Sequence, residues 1–227
     1  MDFNSPPDEG LLRALALQNL PEGRVLDVGF GTARNLAAAA ERFPGLALGL
    51  ELNLLALELA EQRRADGLLK AEVRLQNALE VSFEERSLAI AIVSIAISLP
   101  KGVFEEFLQR VWNALKPRGI LHLDFATLSD GYRDTDFFIY TCGQFPEKGR
   151  EGSYHHYCGS DTCQMEHPGV YGASFWNPEE ADQLLKSMGP GRKIFGKTRE
   201  WTQKITGPTG DFEDMLRSFY YLTWQKS

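Results

Sequence analysis

Arg24-Val25-Leu26-Asp27-Val28-Gly29-Phe30-Gly31-Thr32-Ala33-Arg34-Asn35 is the stretch on which the fold turns. A short apolar run ends at Gly29, and Leu36, Ala40 and Phe43 then recur at helical spacing. The order is strand, tight turn, helix. Gly29 and Gly31 can take backbone angles closed to residues with a Cβ, and they let the main chain approach a ligand. The helix behind them opens on amide N–H groups that have no intrahelical partner. A turn of this kind, at the carboxyl end of a first strand, is where open α/β sheets bind nucleotide-type ligands.

The same alternation continues outward to residue 125. Segments 46–50, 73–75, 90–95 and 119–125 read as strands two to five. Between them lie helical stripes: Leu52, Leu55, Ala56 and Leu59, then Phe104, Phe107, Leu108, Val111 and Leu115. A leading helix carries Leu11, Leu12 and Leu15 on one side. Asn177-Pro178-Glu179-Glu180 opens a later helix, with Asn177 as N-cap and Glu180 at the capping-box position. Ala181, Leu184, Leu185 and Met188 form its face, and Gly189-Pro190 stops it. Segments 193–199 and 218–225 read as two closing strands, antiparallel to each other. The early strands are continuous apolar runs, which predicts burial on both faces and parallel pairing. The expected fold class is α/β, a doubly wound, mostly parallel sheet of seven strands with right-handed crossovers.

Two cofactors compete for the glycine turn. A dinucleotide fingerprint, G-x-G-x-x-G, places its third glycine on Arg34, whose side chain would crowd a pyrophosphate. The S-adenosylmethionine pattern places an acid two residues before the first glycine of G-x-G-x-G. Asp27, Gly29 and Gly31 satisfy it, with Ala33 at the third position. Here the chain resembles the class I S-adenosylmethionine-dependent methyltransferases, from about residue 11 to 125 and more loosely over 170–226. The resemblance implies a set of cofactor-binding residues. Asp27, Gly29, Phe30, Gly31, Thr32 and Ala33 form the loop, and Glu51, ending the second strand beside Leu52, would hold both ribose hydroxyls. Asn77 and Ala78 would meet the adenine, and Ser94 and Ile95 would border the methionine moiety. Leu115-Lys116-Pro117-Arg118-Gly119 looks like the family's L-K-P-G-G turn into strand five, with Arg118 replacing one glycine.

Length and charge limit the rest. The 227 residues suit one domain spanning 1–227, and 43% hydrophobic with 24% charged residues excludes a disordered or disulfide-scaffold chain. The sum of 24 basic and 31 acidic residues is −7, with no basic run, so a nucleic-acid backbone is not the expected partner. Neither an N/D-P-P-Y/F motif nor a Pro-Cys nucleophile follows strand four, which sets aside the base-modifying subclasses. No segment approaches the ~18 apolar residues of a membrane span. The acidic start does not resemble a signal peptide. Three cysteines, Cys142, Cys158 and Cys163, cannot form a closed disulfide set. A cytoplasmic location is expected.

The rhythm breaks after Phe125. Residues 127–175 are rich in Gly, Tyr, His and Asp and too long for an ordinary connection, so they read as a lid or acceptor-binding insert. Within it, His155 and His156 are candidate proton acceptors. Asp124, near the end of strand five, is a candidate for orienting an acceptor, whereas His122 reads as a core residue. Cys158-x4-Cys163-x3-His167, with Cys142 or His155, offers zinc-type ligands at irregular spacing. Free or buried thiols are the simpler reading, and no metal is expected. Tyr132, Phe137, Phe138 and Tyr140 would line a pocket or dock the lid. The expected function is methyl transfer from S-adenosyl-L-methionine to a small molecule. A protein acceptor, a non-catalytic cofactor-binding module and a nicotinamide oxidoreductase are the alternatives.

Overall fold

A computed structural model describes residues 5–99, 101–130, 144–146, 153–157, 170–206 and 212–227. Five parallel strands alternate with helices: β1 (Arg24–Val28), α2 (Arg34–Arg42), β2 (Ala47–Glu51), α3 (Leu54–Ala65), β3 (Glu72–Leu75), β4 (Leu88–Val93), α4 (Lys101–Ala114) and β5 (Leu115–Ala126), preceded by α1 (Glu9–Leu15). After α5 (Pro178–Met188), a hairpin of β9 (Gly191–Thr206) and β10 (Phe212–Lys226) completes a seven-stranded sheet of order β3-β2-β1-β4-β5-β10-β9. Only β10 runs against its neighbours. The expected doubly wound α/β sheet is therefore the observed fold, and the closing hairpin is longer at both strands than periodicity suggested.

Burial on both faces explains the continuous apolar strands. Leu26, Val28, Ala91, Val93, Leu121 and Leu123 pack with Phe104, Phe107, Leu108 and Val111 of α4 and with Ala181 and Leu185 of α5. Alternate residues Val25, Ile90, Ile92 and Ile120 point the other way, onto Leu11 and Ala14 of α1, Leu36 and Ala40 of α2, and Ala56 and Ala60 of α3. Two helix faces differ from expectation. In α1, Leu11 and Ala14 are buried while Leu12 turns outward. In α3 the buried stripe is Ala56 and Ala60; Leu55 and Leu59 face outward, Leu55 at 65% exposure, and Leu52, just before the helix, is also exposed. Small alanines let α3 lie close to the sheet.

Capping follows the sequence closely at one end of α5. The Asn177 side chain accepts from the Glu180 N–H at 2.7 Å, with Pro178 in the first turn. Glu180 does not reach back to complete the box. Its carboxylate accepts instead from Lys101 Nζ at 2.7 Å, joining α5 to α4.

Arg118, where the family's turn has glycine, sits at φ +64° and is exposed. An L-residue in the left-handed region costs roughly 1–2 kcal/mol. Arg118→Gly is expected to stabilise the chain by about 1 kcal/mol in thermal unfolding, since little packing is lost at an exposed site. An unchanged or lower midpoint would show that the turn carries no such strain.

Beyond β5, three short strands, β6 (Gln144–Pro146), β7 (Ser153–Tyr157) and β8 (Val170–Ser174), form a separate antiparallel sheet of order β6-β7-β8. Among the described residues, no helix is long and apolar enough to cross a membrane.

Candidate functional site

The carboxyl ends of β1, β2, β4 and β5 converge on the glycine turn. Gly29 and Gly31 have φ of +72° and +51°, the left-handed angles the sequence called for. A Cβ at Gly29 would lie 2.6 Å from Ile95 Cγ2 and 3.1 Å from the Ser94 carbonyl oxygen, so the turn is pressed onto the end of β4. A Cβ at Gly31 would meet nothing within 4 Å, so that residue borders open space. Ala33 also lies at φ +57°, in the conformation that a third glycine would adopt without strain. Phe30 packs inward, and a Cβ on Gly49 would come within 2.6 Å of its ring. Any contact Phe30 offers a ligand is thus through its backbone. Arg63 of α3 donates to the Thr32 carbonyl at 2.7 Å and ties the loop down, a role with no sequence signal.

Glu51 ends β2 with its carboxylate turned to this loop. Its Oε2 accepts from the Gly31 N–H at 2.9 Å, and its Oε1 from the Leu52 and Asn53 N–H groups at 2.8 and 3.2 Å. A carboxylate has about four lone-pair sites, two per oxygen, so Oε1 is filled and Oε2 retains one site for a hydroxyl donor. Leu52 is half exposed beside it. Asn77 caps its own 3-10 turn, accepting from the Leu79 N–H at 3.0 Å and donating to Glu80 at 3.0 Å. Ala78 is buried behind it.

Asp27 is 1% exposed, and among the described residues neither carboxylate oxygen has a hydrogen-bond partner. Burial pushes its carboxyl well above the usual carboxylate range, and the charges of Glu51, Asp124 and Asp8 add to the effect. Asp124 is raised to about 6, again chiefly by burial and then by Asp8, despite a hydrogen bond from Ser94. Both groups bind a proton more tightly folded than unfolded. Their contribution to stability is therefore present below the ordinary carboxylate range and lost as pH rises through the folded values. Asp27→Asn is expected to raise stability in urea by about 1–2 kcal/mol at pH 7, with a smaller gain at pH 5. A loss at pH 7 would mean that the charge has a compensating partner.

Facing these acids is a clasp made by residues far apart in the chain. Asp8, 2% exposed, accepts from Asn35 Nδ2 at 2.8 Å while its own N–H donates to Asn35 Oδ1 at 2.9 Å. Arg34 Nη2 lies 2.8 Å from Asp8 Oδ1, and Nη1 donates to the Pro6 carbonyl at 2.8 Å. His122 is buried as expected, between Asp8 Oδ2 at 3.3 Å and Thr223 Oγ1 at 2.9 Å. Burial raises the Asp8 carboxyl, but the His122 hydrogen bond, the His122 charge and Arg34 together hold it below the usual range. Asp8 also supplies negative charge at the first turn of α2, where Arg34 alone would oppose the helix dipole.

His155 and His156 stand in β7, opposite Gly172 and Tyr171 of β8. Cys142, Cys158, Cys163, His167, Tyr132, Phe137, Phe138 and Tyr140 lie outside the described residues. A cleft lined by Arg24, Leu46, Arg64, Lys70, Val81 and Phe83 opens at the amino-terminal side of β1 and β3 and contains none of the predicted site residues. Ligands of open α/β sheets bind at the opposite, carboxyl ends.

Residues 25–119 match a family model described as a methyltransferase domain. No curated protein sequence matches the chain. Among solved structures, an S-adenosylmethionine-dependent methyltransferase from Methanosarcina mazei is 22% identical, covering 91% of this chain and 94% of its own, with a TM-score of 0.58. Another, from Mesorhizobium loti, is 15% identical over 95% and 96%, with a TM-score of 0.52. A protein solved in work on conversion of a disulfide bond into a thioacetal group during echinomycin biosynthesis is 16% identical over 98% and 82%, with a TM-score of 0.59. Residues 25–119 thus carry a methyltransferase domain, and the chain shares its fold with solved S-adenosylmethionine-dependent methyltransferases.

Proposed function

We propose that this methyltransferase acts on a small-molecule acceptor, with its cofactor, S-adenosyl-L-methionine, held by the glycine turn and Glu51. The observation that carries the cofactor site is Asp27, buried with two unpartnered oxygens beneath a turn whose Gly31 borders open space. An uncompensated buried carboxylate is costly and calls for a cationic partner. The cofactor supplies one, with its ammonium and sulfonium charges, and it carries the activated methyl group itself. Glu51 accepts a ribose hydroxyl on the remaining lone pair of Oε2. The Gly29–Gly31 backbone, Thr32 and Ala33 line the methionine side, with Ser94 and Ile95 at the end of β4. Leu52, Asn77 and Ala78 border the adenine side. The protein's own work is alignment, exclusion of water and, where the acceptor requires it, removal of a proton.

Support for a small acceptor comes from the net charge of −7, from the single-domain size, and from an insert over 127–175 that we read as a lid. The echinomycin neighbour, whose work concerns a small molecule, agrees. His155 and His156 remain candidates for proton removal from that lid, and a cytoplasmic location belongs to the same reading. The test is calorimetric titration with S-adenosylhomocysteine, which binds without turning over. Saturable one-to-one binding is expected; its absence at high ligand would overturn the assignment of the cofactor site.

A further inference from the structure

The sheet face that carries Asp27 continues past the cofactor residues, strand by strand. Ser94 follows Val93, which pairs with Val28 on one side and Leu123 on the other, so Ser94 and Asp124 are neighbours on adjacent strands. Asp124 in turn pairs with Tyr221, and Ala126 with Phe219. Side chains alternate along a strand, so Asp27, Ser94, Asp124, Tyr221 and Phe219 share one face. The Ser94 hydroxyl donates to Asp124. Phe219 lies 6.4 Å from Tyr221 and 5.6 Å from Trp201, centroid to centroid, with the rings tilted by 34° and 31°. Trp201 is 40% exposed at the outer end of this row.

The cations beside the row are already engaged. Arg217, 5.0 Å from the Phe219 centroid, is bound by Asp130 at 3.0 Å. Arg199, 5.5 Å from the Tyr221 centroid, approaches Glu9 at 3.5 Å. The Arg34 charge is taken up by Asp8. Among the described residues, Asp124 therefore ends an aromatic row as a carboxylate with no cationic side chain bonded to it. It stands one strand from Ser94 and two from the unpartnered Asp27.

We infer that Asp124 and the Tyr221–Phe219–Trp201 row form the acceptor subsite, and that the acceptor is a ring-bearing amine. The ring stacks along the aromatic row, and the nitrogen donates to Asp124. The carboxylates of Glu51 and Asp124 repel phenolate, thiolate or carboxylate acceptors and draw in an ammonium. The chemistry is balanced at Asp124. The ammonium N–H bond breaks and its proton passes to the carboxylate; the electron pair left on nitrogen would form the new N–C bond as the methyl–sulfur bond breaks and the thioether leaves neutral, and the carboxyl later returns the proton to solvent. A value near 6 suits Asp124 to that exchange at neutral pH.

This inference rests on the cofactor reading above, and the test separates the two. Protein saturated with S-adenosylhomocysteine is titrated with benzylamine, benzyl alcohol and benzoate, which differ only in the group on the ring. Benzylamine is expected to bind at least about tenfold more tightly than benzyl alcohol, as a charged hydrogen bond warrants, with benzoate weakest. Asp124→Asn should abolish the benzylamine advantage while S-adenosylhomocysteine still binds. Phe219→Ala should weaken benzylamine and benzyl alcohol by the same factor. Equal binding of the three probes, preference for benzoate, no binding of benzylamine, or an advantage that survives Asp124→Asn each overturns the inference. Failure of S-adenosylhomocysteine itself to bind overturns the cofactor reading instead, and is seen before any probe is added.

Discussion

Asp8→Ala is expected to destabilise the fold by about 3–5 kcal/mol, the range for removing one partner from a buried charged network. Asp8 sits at 2% exposure between Asn35, Arg34 and His122. Without its carboxylate, the Asn35 amide and the Arg34 guanidinium lose an acceptor, and one His122 ring nitrogen loses its partner. Asn35 and His122 are buried and have no direct route to water. Urea unfolding at pH 7 measures the loss, and Asp8→Asn should recover part of it by accepting from Asn35. A cost below about 1 kcal/mol would show that the clasp is replaced by solvent. The pH dependence has the opposite sign to that of Asp27 and Asp124. The Asp8 carboxyl is held low in the folded chain, so its contribution is full at neutral pH and is lost as pH falls through the folded value.

Glu51→Ala is expected to weaken S-adenosylhomocysteine about a hundredfold, or roughly 3 kcal/mol. Two effects add. A ribose hydroxyl loses a charged acceptor, a bond worth about 1.5–3 kcal/mol. The Gly31, Leu52 and Asn53 N–H groups also lose the oxygens that hold the loop to β2. Glu51→Gln keeps one acceptor oxygen and should fall between wild type and Ala in the same titration. Binding of the Ala variant within threefold of wild type would remove Glu51 from the site.

What the sequence made legible was local or periodic. The parallel strands β1, β2, β4 and β5 announced themselves because both of their faces are largely buried, whereas the edge strand β3, buried only at Val73, gave a weaker signal, and the turn at Gly29 and Gly31 stood out because few other residues accept its angles. The outward face of α3 was misread for a physical reason. Leu55 and Leu59 share the helical spacing of Ala56 and Ala60, and bulk suggested burial where close approach to the sheet demanded small residues. Ala33 looked like a mild substitution, yet its φ of +57° shows that the third glycine of the pattern serves backbone conformation as well as ligand access. The Asp8 clasp had no local signal at all. Its members come from before α1, the start of α2, β5 and β10, and only the folded sheet brings them together. Asp124 was visible as a position at a strand end, but its aromatic neighbours on β9 and β10 were not.

The place of β10 in the sheet has a consequence for synthesis. The strand between β5 and β9 is made last among the seven, yet it is an interior strand. At about 5–20 residues per second, several seconds separate translation of Ala126 from that of Phe212. Through that interval β5 presents its outer edge from Ile120 to Ala126, the backbone groups that β10 will later pair. An unpaired edge is a template for any passing strand. The nascent chain therefore carries an adhesive flank that exists only during translation, and the hairpin of β9 and β10 acts as the seal that ends its exposure.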